Sequence, residues 1–355
     1  MRIVKLSIIL VTLLFCPAFS QTTYNVTDLG VLDGYDSSWA GSINNSSQVL
    51  GVSKKAAGGA KSVFLWDSEG MTGLSSLQVD DTVEYDINGS GQVAGTSEAQ
   101  ACLYEDGSVT KLGTLGGGLS KAFGINDNIQ IVGQSETSSS NIHAFLYESG
   151  GMTGLGTLGG NNSRARGINN SGYVVGGAQN DSGDLRAFVY NGTTMSGLGT
   201  LGGDSSEAFA INDDGQIVGD SKYSSFYSHA FFYDNGTMTD LGTFGGPESR
   251  ALDINGSSQI VGWANIASWD DRAFLYEDGE LLNLNDLIDG SYSDWILEQA
   301  YSINDSGQIV GRGVSPSGDQ RAFLLSPVPE PATVSLLGLG TLIYLRRRKS
   351  SGKQN

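Results

Sequence analysis

The sequence predicts an all-β protein folded as a β-propeller, most simply with seven four-stranded blades. Three observations carry this prediction. An Ile-Asn pair recurs seven times, with its Ile at positions 43, 87, 125, 168, 211, 254 and 303. A Gly follows each pair at a near-constant distance, at Gly51, Gly95, Gly133, Gly176, Gly219, Gly262 and Gly311. The composition is rich in Gly, with 51 against 6 Pro, and hydrophobic residues reach 39%, enough for a core. Short β-branched runs bounded by Asn-Gly and Asp-Gly turns fit strands. They do not fit helical repeats of similar length, because Gly interrupts every segment. A period near 43 residues with four strands is that of a propeller blade; six or eight blades are the alternative counts.

The N-terminus reads as a signal peptide. Arg2 and Lys5 precede the apolar run Leu6 to Phe15, and Ala18 and Ser20 are small, so cleavage is expected between Ser20 and Gln21. Phe15 stands before Cys16 where a lipidation site needs a small residue, so Cys16 is not read as a lipidated cysteine. The mature chain then keeps one thiol, Cys102, which excludes an internal disulfide and a Cys-based zinc site. Cys102 stands where other copies have Phe, and is expected to be a small core side chain.

The copy around residue 211 shows the unit. Ser206 to Asn212 forms a first strand, Asp213-Asp214-Gly215 a turn, and Gln216 to Gly219 a second strand. His229 to Tyr233 forms a third, Asp234-Asn235-Gly236 a hairpin turn, and Thr237 to Gly242 a fourth. The last copy has three strands, at Ala300 to Asn304, Gln308 to Gly311 and Arg321 to Leu325, and no fourth. Residues 24–31 match the fourth-strand pattern, so they are expected to complete the last blade and remove an exposed edge.

The C-terminus carries Pro329-Glu330-Pro331, an apolar run from Ala332 to Leu345, and the basic cluster Arg346-Arg347-Arg348-Lys349. The run of 14 residues is short for a full membrane span, and the arginines act as a cytoplasmic stop. These three features in this order resemble the PEP-CTERM sorting signal. The resemblance implies an exosortase as partner, transient anchoring in the inner membrane of a Gram-negative bacterium, and later placement at the cell surface or in an exopolysaccharide matrix. The sorting residues would be Pro329, Glu330, Pro331, Arg346, Arg347 and Arg348. The domain reading is a signal peptide at 1–20, repeats at 21–326 and a sorting tail at 327–355.

The repeats resemble HAF-type probable extracellular repeats, through His143-Ala144-Phe145, His229-Ala230-Phe231 and Leu-Gly-Thr-Leu-Gly-Gly at 112–117, 155–160 and 198–203. Ser62-Val63-Phe64 and Gln100-Ala101-Cys102 depart from the pattern. That resemblance implies export and repetition and no particular chemistry.

The net charge is −18. Residues 1–20 and 332–355 hold seven of the 20 bases and no acid, so the part between keeps 13 bases against 38 acids, a net of −25. Such a surface repels phosphate backbones and argues against nucleic acid.

No catalytic, cofactor or metal residues are assigned. His143 and His229 share one repeat position with Ser62, Gln100, Arg186, Arg272 and Arg321, which reads as a polar strand position rather than a catalytic one. Asp127, Asp213, Asp214 and Asp305 fit turn chemistry, with calcium as the weaker reading. The Gly-Gly pairs lack the Lys-Ser/Thr of a phosphate loop. The segment Leu284 to Glu298 breaks the repeat interval and carries Asp286, Asp289, Tyr292, Asp294 and Trp295. It reads either as a surface loop packed on its blade or, with Trp263 and Trp269, as a sugar-stacking surface. Trp263, Trp269, Tyr292 and Trp295 are therefore the expected glycan contacts. The functional expectation is a non-enzymatic binding or scaffolding protein; the alternative is a polysaccharide hydrolase or lyase acting at the propeller mouth.

Overall fold

The computed structural model describes residues 22–56, 59–77 and 85–328. The signal peptide, Cys16 and the sorting tail, including Pro329, Glu330, Pro331, Arg346, Arg347 and Arg348, lie outside the described residues. Among the described residues no helix is long and apolar enough to cross a membrane.

Seven four-stranded antiparallel sheets follow one another along the chain. Six run in sequence order from inner to outer edge, as in Ser206–Ile211, Ile217–Lys222, Ser228–Asp234 and Thr237–Asp240. The seventh combines both ends of the ring. Its inner three strands are Ile296–Ile303, Ile309–Val314 and Gln320–Pro327, and its outer strand is Tyr24–Gly30. The register places Tyr24 opposite Pro327 and Asp28 opposite Phe323. The N-terminal strand thus completes the last blade, and no blade is left with three strands.

The core lies between blades. Seven separate hydrophobic clusters each join two neighbours; one packs Ala94, Ala101 and Leu112 of blade 2 against Ala122, Ile125 and Phe145 of blade 3. In five blades the repeat Gly sits under a ring, of Phe64, Tyr85, Phe231, Phe274 or Phe323, and at Gly133 and Gly176 it lies against the first-strand backbone. A Cβ at Gly219 would lie 2.0 Å from the Glu207 carbonyl oxygen and 2.7 Å from the Phe231 ring. Any side chain there would push apart the first and second strands, which explains the Gly after every β-branched pair. Phe64, Phe145, Phe188, Phe231, Phe274 and Phe323 are all fully buried, and Cys102 fills the equivalent place in blade 2. Burial pushes the Cys102 thiol up to about 11.

Serines staple the blades together. Ser206 Oγ donates to the Gly199 carbonyl at 2.6 Å and accepts the Ala187 N–H at 2.9 Å, both in the preceding blade. Ser38 does the same across the closure, donating to Gly30 at 2.6 Å and accepting from Ala322 at 3.0 Å. The first and last blades therefore meet through the contacts used elsewhere in the ring.

The segment that breaks the repeat interval forms two short 3-10 turns, Leu284–Asp286 and Gly290–Tyr292. It packs on the closing strand: the Tyr24 N–H donates to the Leu287 carbonyl at 2.9 Å, and the Asp289 N–H donates to the Tyr24 carbonyl at 2.9 Å. Trp295 is only 7% exposed and lies in one cluster with Tyr24, Leu284, Leu287 and Leu297; Tyr292 packs against it partly buried. Trp295, one of the expected glycan contacts, thus has its ring in the core. The segment buttresses the closure.

Candidate binding face and central channel

The first strands surround a central channel. One end carries the turns between first and second strands; the other carries the loops between second and third strands and the connections between blades. These are the turn end and the loop end.

At the turn end, the Asn of each Ile-Asn pair builds a closed ring. Each Nδ2 donates to the backbone carbonyl of the next blade's Asn, from Asn44 to Asn88 at 2.9 Å and onward to Asn304, which returns to Asn44 at 3.1 Å. Asn44 Oδ1 also accepts the N–H groups of Ser46 and Gln48 in its own turn, at 3.0 and 2.9 Å. Sequence reading used this Asn only as a repeat marker. The turn acids act between blades: Asp127, Asp213 and Asp305 accept N–H groups from Gly89, Asn170 and Gly256 at 2.8, 2.8 and 2.9 Å. Among the described residues no group of three or more His, Cys, Asp or Glu side chains is placed to hold a metal ion.

The loop-end half of the channel holds a cavity of about 230 Å³ lined by Tyr85, Phe123, Phe209, Tyr301, Arg166 and two carboxylates, Asp86 and Asp253. These carboxylates occupy the position just before the Ile. Asp253 accepts from Ile254 N–H at 2.8 Å, Ser302 Oγ at 2.7 Å and Ile303 N–H at 2.9 Å. Asp86 accepts from Ser42 Oγ at 2.8 Å, Ile87 N–H at 2.9 Å and Ile125 N–H at 3.0 Å. Burial outweighs these bonds and pushes Asp253 up to about 6, with the Asp86 charge adding to the effect. Burial likewise raises Asp86 above the usual carboxylate range.

A charged cluster rims the channel at this end. Glu207, 9% exposed at its side chain, accepts from both Arg164 and Arg166, the latter at 2.9 Å. Burial alone would raise Glu207, but Arg166 and Arg164 outweigh it and hold the carboxyl below its ordinary value. In the next blade Arg250 Nε lies 3.5 Å from Asp220. Two of these arginines cover aromatic faces: Arg166 is 4.9 Å from the Phe123 centroid, and Arg250 is 5.1 Å from Phe209 and 5.9 Å from Trp263. Burial pushes the Tyr301 phenol up to about 12, and its hydroxyl donates to Gln299 at 2.6 Å.

Aromatic side chains stand out on the loops of blades 5 and 6. Phe226 is 81% exposed, Trp269 59% and Tyr223 38%. Trp269 meets Tyr227 edge-on, with centroids 5.8 Å apart, and Tyr223 stacks on His229 at 4.0 Å. His229 Nδ1 in turn lies 2.9 Å from both Asp240 carboxylate oxygens. Trp269 sits at φ +73°, fixed by its N–H on the Ile266 carbonyl at 2.8 Å. The structure therefore separates the residues that sequence reading grouped. Trp269 is presented to solvent, Trp263 lies in the strand Ile260–Ile266 beneath Arg250, and Trp295 is core. Phe226, Tyr223 and the Arg164–Glu207–Arg166 cluster were missed, because neighbouring copies supply them without a shared motif.

Comparison with known proteins follows the same division. The family model "Protein of unknown function (DUF3466)" matches residues 201–322, and the PEP-CTERM protein-sorting motif matches residues 327–349. No curated protein matches the chain. Among solved structures, TolB from Acinetobacter baumannii is similar with a TM-score of 0.45 and 12% identity, over 84% of this chain and 66% of that one. A gluconolactonase from Xanthomonas campestris gives 0.42 and 9%, over 87% and 95%. The extracellular domain of a putative hybrid two component system from B. thetaiotaomicron gives 0.49 and 10%, over 85% of this chain and 39% of that one. The chain is a seven-bladed propeller bearing a PEP-CTERM motif. That motif implies export with exosortase processing at the membrane.

Proposed function

We propose that this is a non-enzymatic propeller displayed at the surface or in the matrix of a Gram-negative bacterium, where it binds exopolysaccharide through its loop end. The exposed aromatic group of Tyr223, Phe226, Tyr227 and Trp269 carries the reading. Leaving a Phe and a Trp in water forgoes burial worth about 2 kcal/mol each, so a contiguous exposed aromatic surface marks a contact site. Flat rings pack well on the apolar faces of sugar rings, and the sorting motif supports exposure to such polymers. The HAF-type character of the repeats, as in His229-Ala230-Phe231, belongs to the same reading. The test is affinity for oligosaccharides of the producing organism's exopolysaccharide. Trp269→Ala should weaken binding by about tenfold or more without lowering the melting temperature. Unchanged affinity for that variant and for Phe226→Ala would refute the site.

One observation favours a second reading, a polysaccharide hydrolase or lyase. Asp86 and Asp253 both have raised proton affinities beside aromatic walls in the channel, and glycoside hydrolysis uses two carboxyl groups, one of them protonated. Against it, each carboxylate already accepts three hydrogen bonds that tie blades together. Shortening of the polymer that is lost in Asp253→Asn would establish this reading instead.

A further inference from the structure

The chain is strongly acidic, yet one arc of the channel rim at its loop end carries more bases than acids. On blades 4 to 6, three guanidinium groups, Arg164, Arg166 and Arg250, meet two carboxylates, Glu207 and Asp220. The arginine side chains are 37%, 22% and 42% exposed, whereas those of Glu207 and Asp220 are 9% and 14% exposed. The acids lie beneath and the cations face outward. Across the channel acids outnumber bases or lie deeper: Arg312 faces Glu298 at 3.6 Å with Asp271 bonded to the adjacent Gln299, and Asp86 and Asp253 lie further down the wall. A local cationic rim in a protein of net charge −18 draws anions to one place and repels them elsewhere. The Phe123 ring backs Arg166, and the Phe209 and Trp263 rings back Arg250, which holds these two guanidinium groups flat for planar or tetrahedral oxyanions; Arg164 spends its Nε and Nη2 on Glu207 and adds charge to the rim.

We infer that this rim is an anion subsite that takes the acidic group of a sugar residue, a carboxylate or a sulfate ester, while the exposed aromatics of blades 5 and 6 hold neighbouring rings. The inference rests on the glycan-binding reading and deepens it, by making the polymer an acidic one.

The test titrates the propeller, residues 21–328, with three oligosaccharides of equal length: an oligogalacturonate, a heparin fragment and a neutral cello-oligosaccharide. The ring closes within these residues, so they form one folded unit. One acidic probe should bind more tightly than the neutral one, by about tenfold or more, with an advantage that shrinks as salt is raised. The acidic probe that wins assigns the group as carboxylate or sulfate. Arg164→Gln removes one positive charge and leaves Glu207 paired with Arg166, so the fold should survive. It should abolish the acidic preference and leave neutral binding alone. Should it unfold the protein, Arg250→Lys keeps the charge, removes the fork, and should weaken acidic binding severalfold. Equal, salt-insensitive binding of acidic and neutral probes would overturn the subsite while sparing the glycan-binding reading. Failure of all three probes to bind would overturn both.

Discussion

Asn304 donates from Nδ2 to the carbonyl oxygen of Asn44 at 3.1 Å, joining residues 260 apart in the chain. This bond is the seventh of a closed ring, and nothing distinguishes it from the six between consecutive blades. The seam between the chain's two ends should therefore be as strong as any other. Asn304→Ala leaves the Asn44 carbonyl and two turn N–H groups without their partner. The expected cost is about 2–4 kcal/mol in denaturant unfolding. Asn212→Ala should cost the same within about 1 kcal/mol; a much smaller loss at Asn304 would mean an open seam.

Deleting residues 21–34 removes the outer strand of blade 7, the Tyr24 side chain and the Gly30 acceptor of Ser38. It also strips the partner from the Leu284–Trp295 buttress. The whole ring should melt at a clearly lower temperature, as one transition. A parent-like melting temperature would contradict closure by this strand.

Cys102 departs from the Phe found in six copies, and Tyr85 explains why. In blade 2 the Tyr85 ring covers Gly95, where a Cβ would meet it at 2.7 Å, whereas Phe rings cover Gly51, Gly219, Gly262 and Gly311. Restoring the majority residue should therefore harm this blade. Cys102→Phe is expected to destabilise by about 1–3 kcal/mol through overpacking, measured by thermal or urea unfolding. A stabilised variant would show that the two rings can share the space.

Asp253 gives a pH signature. Its folded value of about 6 lies above the ordinary carboxylate value, so the folded protein holds this proton more tightly than the unfolded chain. That contribution is complete below about pH 4, declines as pH rises toward 6, and stays lost above it; its size is at most about 3 kcal/mol. Asp253→Asn cannot ionise. Relative to the parent it should gain stability between pH 4 and pH 7, a difference read from melting temperatures at the two values. A constant difference would mean that Asp253 titrates normally.

The repeat, the blade count and the closing strand were legible because Ile-Asn and the later Gly meet demands that recur in every blade: a channel bond and a place with no room for a Cβ. Strand ends were less legible. The inner strand of blade 7 begins at Ile296 rather than Ala300, since Ile296 and Leu297 follow no repeat pattern; Leu297 packs in the cluster of the closing strand, and Ile296 pairs with Val314. Trp295 was ambiguous for the same reason. Asp86 and Asp253 were hidden among 38 acids. Alignment of the copies would have shown them, as their position otherwise holds Ser42, Gly124, Gly167, Ala210 and Ser302. The Arg164–Glu207 pair spans 43 residues between copies, and no local motif records such a contact.

The central claim is that the loop end binds a polysaccharide and leaves it whole. Residues 21–328 would be incubated with the exopolysaccharide of the producing organism, with and without calcium, and bound protein and polymer length measured in the same samples. Binding with unchanged polymer length, with and without calcium alike, is the predicted result. Shortened polymer, or no binding under either condition, would contradict the account.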